Sequence, residues 1–69
     1  EAQINKIVLA ALDQLSFRQR QVFVLRYYHG LSLREIAEII HATEGTVKQH
    51  LSRSQVHLRE MLRHLQSND

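Results

Sequence analysis

The chain has 69 residues, 43% of them hydrophobic, no cysteine and no proline, with a net charge of +2 and a pI near 9.5. That length supports one domain near the lower end of what folds unaided, and the apolar fraction excludes a disordered tail. Lack of cysteine excludes a disulfide framework and a thiolate metal site, and no apolar run approaches the ~20 residues needed to span a bilayer.

In chain order, a first helix is predicted from roughly Ala2 to Gln14, where Ile4, Ile7, Val8, Ala11, Leu12 and Leu15 recur at helical spacing. Ser16 and Gln19 follow as a capping-box pattern: the hydroxyl accepts from an orphan amide and the glutamine reaches back. The helix they open carries Val22, Phe23, Leu25, Arg26 and Tyr27. Gly30 ends it, being free to adopt positive φ. Ser32 and Glu35 repeat the capping pattern and open a short helix with core face Leu33, Ile36, Ala37 and Ile40. His41 and Ala42 form the next break. Thr43 caps the last helix, expected over 43–66.

No strand-like alternation interrupts this series. The predicted fold class is therefore all-α. It is a compact four-helix domain, with a three-helical core of winged-helix-like type containing a helix-turn-helix, plus an N-terminal helix. The helix-turn-helix itself lies between Leu31 and Arg53, a layout in which one helix braces and the next enters a DNA groove.

Residues of a helix advance about 100° each. With Val47 at zero, Val47, Leu51, Ser54, Leu58, Met61, Leu62 and Leu65 fall on one arc, the expected core seam. Lys48, Gln49, Ser52, Arg53 and Val56 fall on the opposite side. Lys48 and Arg53 can donate to guanine O6 and N7, and Gln49 can pair with adenine N6 and N7. The stretch from Thr46 to Gln66 holds Lys48, Arg53, Arg59 and Arg63 against Glu60 alone, the charge pattern of a phosphate binder. A solvated helix face could carry the same pattern.

Val56 sits in the middle of the polar side. A thymine methyl contact would explain it, and so would an isolated exposed apolar residue. Gly45 either lets backbone approach a phosphate closely or relieves crowding in the turn. His50 lies close enough to this side to touch phosphate. His50, His57 and His64 recur every seven residues, about 10.5 Å along the axis, too far for neighbours to share a metal ion. No metal site is expected, no cofactor, and no small-molecule substrate. Nucleophile elbows, phosphate-cradling glycine loops and paired carboxylates are missing from the sequence, so no enzyme is expected.

The run ALDQLSFRQRQVFVLRYYHGLSLREIAEIIHATEGTVKQHLSRSQVHLREML, from Ala11 to about Leu62, is some three quarters of the chain. It resembles region 4 of bacterial sigma factors, most closely the extracytoplasmic-function (ECF) group. The family pattern runs L..LP.R.R.VF.LR, then G.S..EIA, then GTVK..L.RA...LR, and each piece is weak alone but strong in this order. The chain departs from it at Ser16 (usually proline), His41 (often glycine), Ala42 (a larger aliphatic) and Ser54 (alanine). Strain is expected at His41, and Ser54 is tolerable if it bonds back to a helix carbonyl.

The resemblance implies recognition of the promoter −35 element by a domain riding on RNA polymerase in the cytoplasm. It implies base reading by Lys48, Gln49, Ser52 and Arg53. Phosphate or supporting contacts would come from Thr43, Thr46, Ser32 and Arg34, joined by Gly45, His50 and Val56 from the face reading above. It further implies docking to the flap region of the polymerase β subunit and masking by an anti-sigma factor, with Leu25, Tyr27 and Tyr28 as candidate contacts. Residues 1–69 would form one domain, a C-terminal fragment of a longer sigma factor, binding duplex DNA without opening it.

Two other readings compete. A LuxR-type response-regulator output domain shares similar GLS..EIA and EGTVK..L runs, but usually leads with an LT.RE.EVL pattern. A protein-docking module would bind polymerase or an anti-sigma factor and no DNA; alanine or acids at 48, 49 and 53 would have favoured it.

Overall fold

The computed structural model describes residues 2–66, with side chains described for Lys6 and for 8–63. It contains α1 (Ala2–Asp13), α2 (Phe17–Tyr27), α3 (Leu33–Ile40) and α4 (Glu44–Gln66), and no strand among the described residues. α1 thus stops one residue before the expected Gln14, and Thr43 stands just outside α4 as its cap.

Both capping boxes are formed. The Ser16 hydroxyl accepts from the Gln19 amide at 3.2 Å while Gln19 Oε1 accepts from the Ser16 amide at 3.2 Å. At α3 the Ser32 hydroxyl accepts from the Glu35 amide at 3.1 Å, and the Glu35 carboxylate accepts from the Ser32 amide at 2.9 Å. Each cap stabilises its helix by about 1 kcal/mol. The bond from the Ser32 amide, helped by the Ser32 side chain and slightly opposed by desolvation, holds the Glu35 carboxyl below the usual glutamate range.

α2 ends at Tyr27, and the chain reverses through Gly30 at φ +68°, where a Cβ would be strained. Arg26 closes this turn by donating from Nη1 to the Leu31 carbonyl at 2.8 Å. The Leu31 amide returns to the Leu25 carbonyl at 3.2 Å across the same turn.

The core forms where α2, α3 and α4 converge: Val22, Ile36, Ala37, Ile40, Val47 and Leu51 are buried, with Leu25, Leu31, Leu33 and Ala42 packed against them. α4 packs on all three other helices. Ala11, Leu12 and Leu15, at the end of α1 and just beyond it, are also buried. Ile4, Ile7 and Leu65, expected in the core, lie outside the described side chains.

The seam of α4 holds through Val47, Leu51 and Ser54, all buried, and loosens at half-buried Leu58 and Met61. Leu62, expected on the seam, is 45% exposed. It lies at the edge of the apolar arc, in the last turns of α4 beyond the buried cluster.

Ser54 is fully buried. Its hydroxyl lies 2.7 Å from the His50 carbonyl on α4 and 3.1 Å from the Gln19 carbonyl on α2. The expected bond within the helix is present, and a second acceptor across the interface shares the proton. Nearby, Gln55 donates to the Tyr27 hydroxyl, a second polar link between α4 and α2.

Candidate nucleic-acid interface

The turn between α3 and α4 sets the whole site. His41 adopts left-handed backbone (φ 57°, ψ 49°), and among the described residues it is the one non-glycine with positive φ. Its amide and that of Ala42 both return to the Ala37 carbonyl, the latter at 2.9 Å, closing α3 within one residue. The strain expected at His41 is therefore present. Ala42 is half-buried and packs on the core, small as it is.

Thr43 then caps α4, its Oγ1 accepting from the Thr46 amide at 3.1 Å and donating to Thr46 Oγ1 at 3.0 Å. That arrangement leaves the Thr46 hydroxyl proton free for an outside acceptor. Val47 N bonds the Thr43 carbonyl at 3.0 Å. Helical bonding supplies no partner for the amides of Glu44 and Gly45, so the helix start keeps two donors and the positive end of its dipole. Glu44 adds one negative charge at the same end.

Lys48, Gln49, Ser52 and Arg53 are all exposed, and their side chains make no hydrogen bond or ion pair among the described residues. The buried row Val47, Leu51, Ser54 holds the opposite side of the helix. One face thus anchors α4 while the other presents two cations, an amide and a hydroxyl over roughly two turns.

The remaining expected residues divide. Ser32 is committed to capping α3 through its oxygen but keeps its own proton for donation. Arg34 lies 4.0 Å from Glu38, with both side chains well exposed, so this pair restrains it weakly. Gly45 is helical, and an added Cβ would meet only Thr43 Oγ1 at 3.8 Å, an ordinary contact. Relief of crowding is therefore not the reason for glycine there.

His50 stands at the border of this face. It is half-buried, with Nδ1 enclosed and lacking a partner, so the ring turns that edge away from the exposed row. Any phosphate contact is left to its other nitrogen.

Val56 is exposed and lines an open groove with Gln19, Ser52, Arg53, His57 and Glu60. In the sequence Gln19 has only the role of capping α2; the packing of α2 on α4 brings it to the edge of this face. Nothing in the local spacing of Gln19 signals that proximity, since 33 positions separate it from Ser52. Among the described residues, no group of three His, Asp or Glu could hold a metal ion, and no helix is long and apolar enough to cross a membrane.

Residues 5–58 match the family model described as sigma-70, region 4. The chain is 43% identical over 44 residues to RNA polymerase sigma factor SigV of Bacillus subtilis (strain 168), an alignment covering 64% of this chain and 26% of that protein. It is 36% identical over 63 residues to ECF RNA polymerase sigma factor SigW of the same organism, covering 91% of this chain and 34% of that protein. The chain thus spans about a quarter to a third of the length of these curated relatives. The chain belongs to the sigma-70 region 4 family, a family of DNA-binding transcription domains and not of enzymes.

Proposed function

We propose that this domain recognises the promoter −35 element as part of an ECF-type sigma factor, directing RNA polymerase to initiation, with the N-terminal half of α4 in the major groove. The observation that carries this is the two-sided character of α4. Val47, Leu51 and Ser54 fix it to the core, while Lys48, Gln49, Ser52 and Arg53 stand exposed together on the other side.

Lys48 and Arg53 suit guanine O6 and N7, Gln49 suits adenine N6 and N7, and Ser52 accepts either role. Thr43, Thr46, Gly45 and the free amides at the start of α4 would meet one phosphate run, and Ser32 with Arg34 at the start of α3 another. Family membership favours this reading over the response-regulator one.

In the same reading the 69 residues are one domain of a longer cytoplasmic protein that docks on the polymerase β-flap and is masked by an anti-sigma factor. Tyr27 in the last turn of α2 and Tyr28 just beyond it are exposed and remain candidates for those contacts, whereas half-buried Leu25 packs on the core.

Amide chemical-shift perturbation in the labelled domain, titrated with a random-sequence duplex at low salt, tests it. Shifts over Thr43 to Val56 and at the start of α3 are the expected result. Shifts confined to α2, or none with DNA, would replace DNA reading by protein docking.

A further inference from the structure

The exposed large apolar residues described are Leu9, Phe17, Tyr27, Tyr28, Ile39, Val56 and Leu62. Of these, Val56 alone shares the face of α4 that carries Lys48, Gln49, Ser52 and Arg53. Four residues separate it from Ser52 and three from Arg53, so it is the immediate helical neighbour of both. It is 48% exposed, and its surroundings are the open groove bounded by Gln19, Ser52, Arg53, His57 and Glu60.

Packing does not account for this valine. Val22, Ile36 and Val47 already fill the core, and Val56 is absent from the residues packed against that cluster. Helix propensity does not account for it either, because a β-branched residue is a poorer helix former than the alanine that would serve on a solvated face.

We propose that Val56 reads the C5-methyl group of a thymine in the major groove, an inference that rests on the DNA-reading assignment of α4. The thymine methyl is the one apolar group that any base pair offers there, and an isopropyl group set among polar readers matches it. Its place along the helix gives the position of the base. Val56 lies seven residues beyond Gln49, about 10.5 Å along the axis, or roughly three base-pair steps of 3.4 Å for a helix lying along the groove. The methyl-bearing thymine is therefore expected about three base pairs from the adenine that Gln49 contacts, on the side reached by later turns of α4.

The test removes only the methyl group. A preferred duplex is first obtained by selection from a random pool, and each thymine is then replaced singly by deoxyuridine. Affinities are read by fluorescence anisotropy at one salt concentration, for the wild-type chain and for Val56→Ala. Loss of one buried methyl corresponds to about fourfold in Kd. The expected result is a loss of that size at one position for the wild type and none at that position for Val56→Ala. Equal uridine sensitivity in both proteins, or no sensitive position, overturns the proposal. Arg53→Ala separates the two levels of inference. If it weakens binding while uridine is neutral, the reading face stands and the role of Val56 falls; if it binds every duplex as the wild type does, the face itself is wrong.

Discussion

Replacing His41 by glycine should make the domain more stable. His41 holds φ 57° and ψ 49° between α3 and α4, and its side chain is exposed with no hydrogen bond among the described residues. A residue with a Cβ is disfavoured in this region by about 1–2 kcal/mol. Glycine removes that penalty but gives the unfolded chain more freedom, which offsets about 0.4–1 kcal/mol. The difference spans about 0–1.6 kcal/mol, with a central gain of about 0.8 kcal/mol. At about 2.1 cal/mol/K per residue, unfolding 69 residues carries an entropy of about 145 cal/mol/K, so the central gain corresponds to a rise in Tm of about 5–6 °C. Circular dichroism at 222 nm during heating measures it, with His41→Val as the opposite control, since a β-branched residue is worse in this conformation. A lower Tm for His41→Gly, or a Val variant as stable as the wild type, would refute the assignment of a strained turn.

Ile36→Ala removes a fully buried side chain from the centre of the core and should cost about 2–5 kcal/mol, read as a lowered urea midpoint. A domain of this size has only about 3–10 kcal/mol in total, so the variant should be partly unfolded at 37 °C. Lys48→Ala and Arg53→Ala should each weaken binding to the preferred duplex by about 1–3 kcal/mol if they read bases. If they meet phosphate alone, affinity should drop on all sequences and the salt slope should shrink by about one; anisotropy across a salt series distinguishes these. Glu35 has a lowered carboxyl pKa in the folded state, so its contribution is present above the unfolded pKa and is lost as pH falls through the folded one. An NMR titration of the Glu35 carboxyl should give a midpoint below the ordinary glutamate range, and Ser32→Ala, which keeps the backbone amide donor and loses only the hydroxyl, should raise it part of the way back.

Local features were legible in the sequence because their causes are local. Ser16 with Gln19 and Ser32 with Glu35 each place a hydroxyl and its return partner three residues apart, and both boxes close as that spacing requires. Periodicity alone identified Val47, Leu51 and Ser54 as the anchored side of α4, leaving Lys48, Gln49, Ser52 and Arg53 outside. What it could not supply was the extent of the surface facing that helix. An angular arc continues indefinitely, but the buried cluster does not, so Leu62 emerges into solvent. The enclosed edge of the His50 ring was illegible for a related reason: the residue lies at the edge of the arc, where the rotamer and the neighbouring helix decide which ring nitrogen is enclosed. The contacts from Ser54 to the Gln19 carbonyl and from Gln55 to Tyr27 bridge 35 and 28 positions, and no motif encodes such pairings.

The buried hydroxyl of Ser54 also has a mechanical meaning. It occupies the midpoint of a 23-residue helix, at the spot where α4 rests on α2. A side chain this small lets the two backbones come close, and its shared proton ties them there, so the contact acts as a fulcrum. Lys48 lies six residues away, about 9 Å along the axis. A tilt of about 10° around the fulcrum would sweep Lys48 through about 1.6 Å, nearly half of a 3.4 Å base-pair step. A bulkier residue at this position would lever the reading end of α4 out of alignment while leaving every side chain on that face intact.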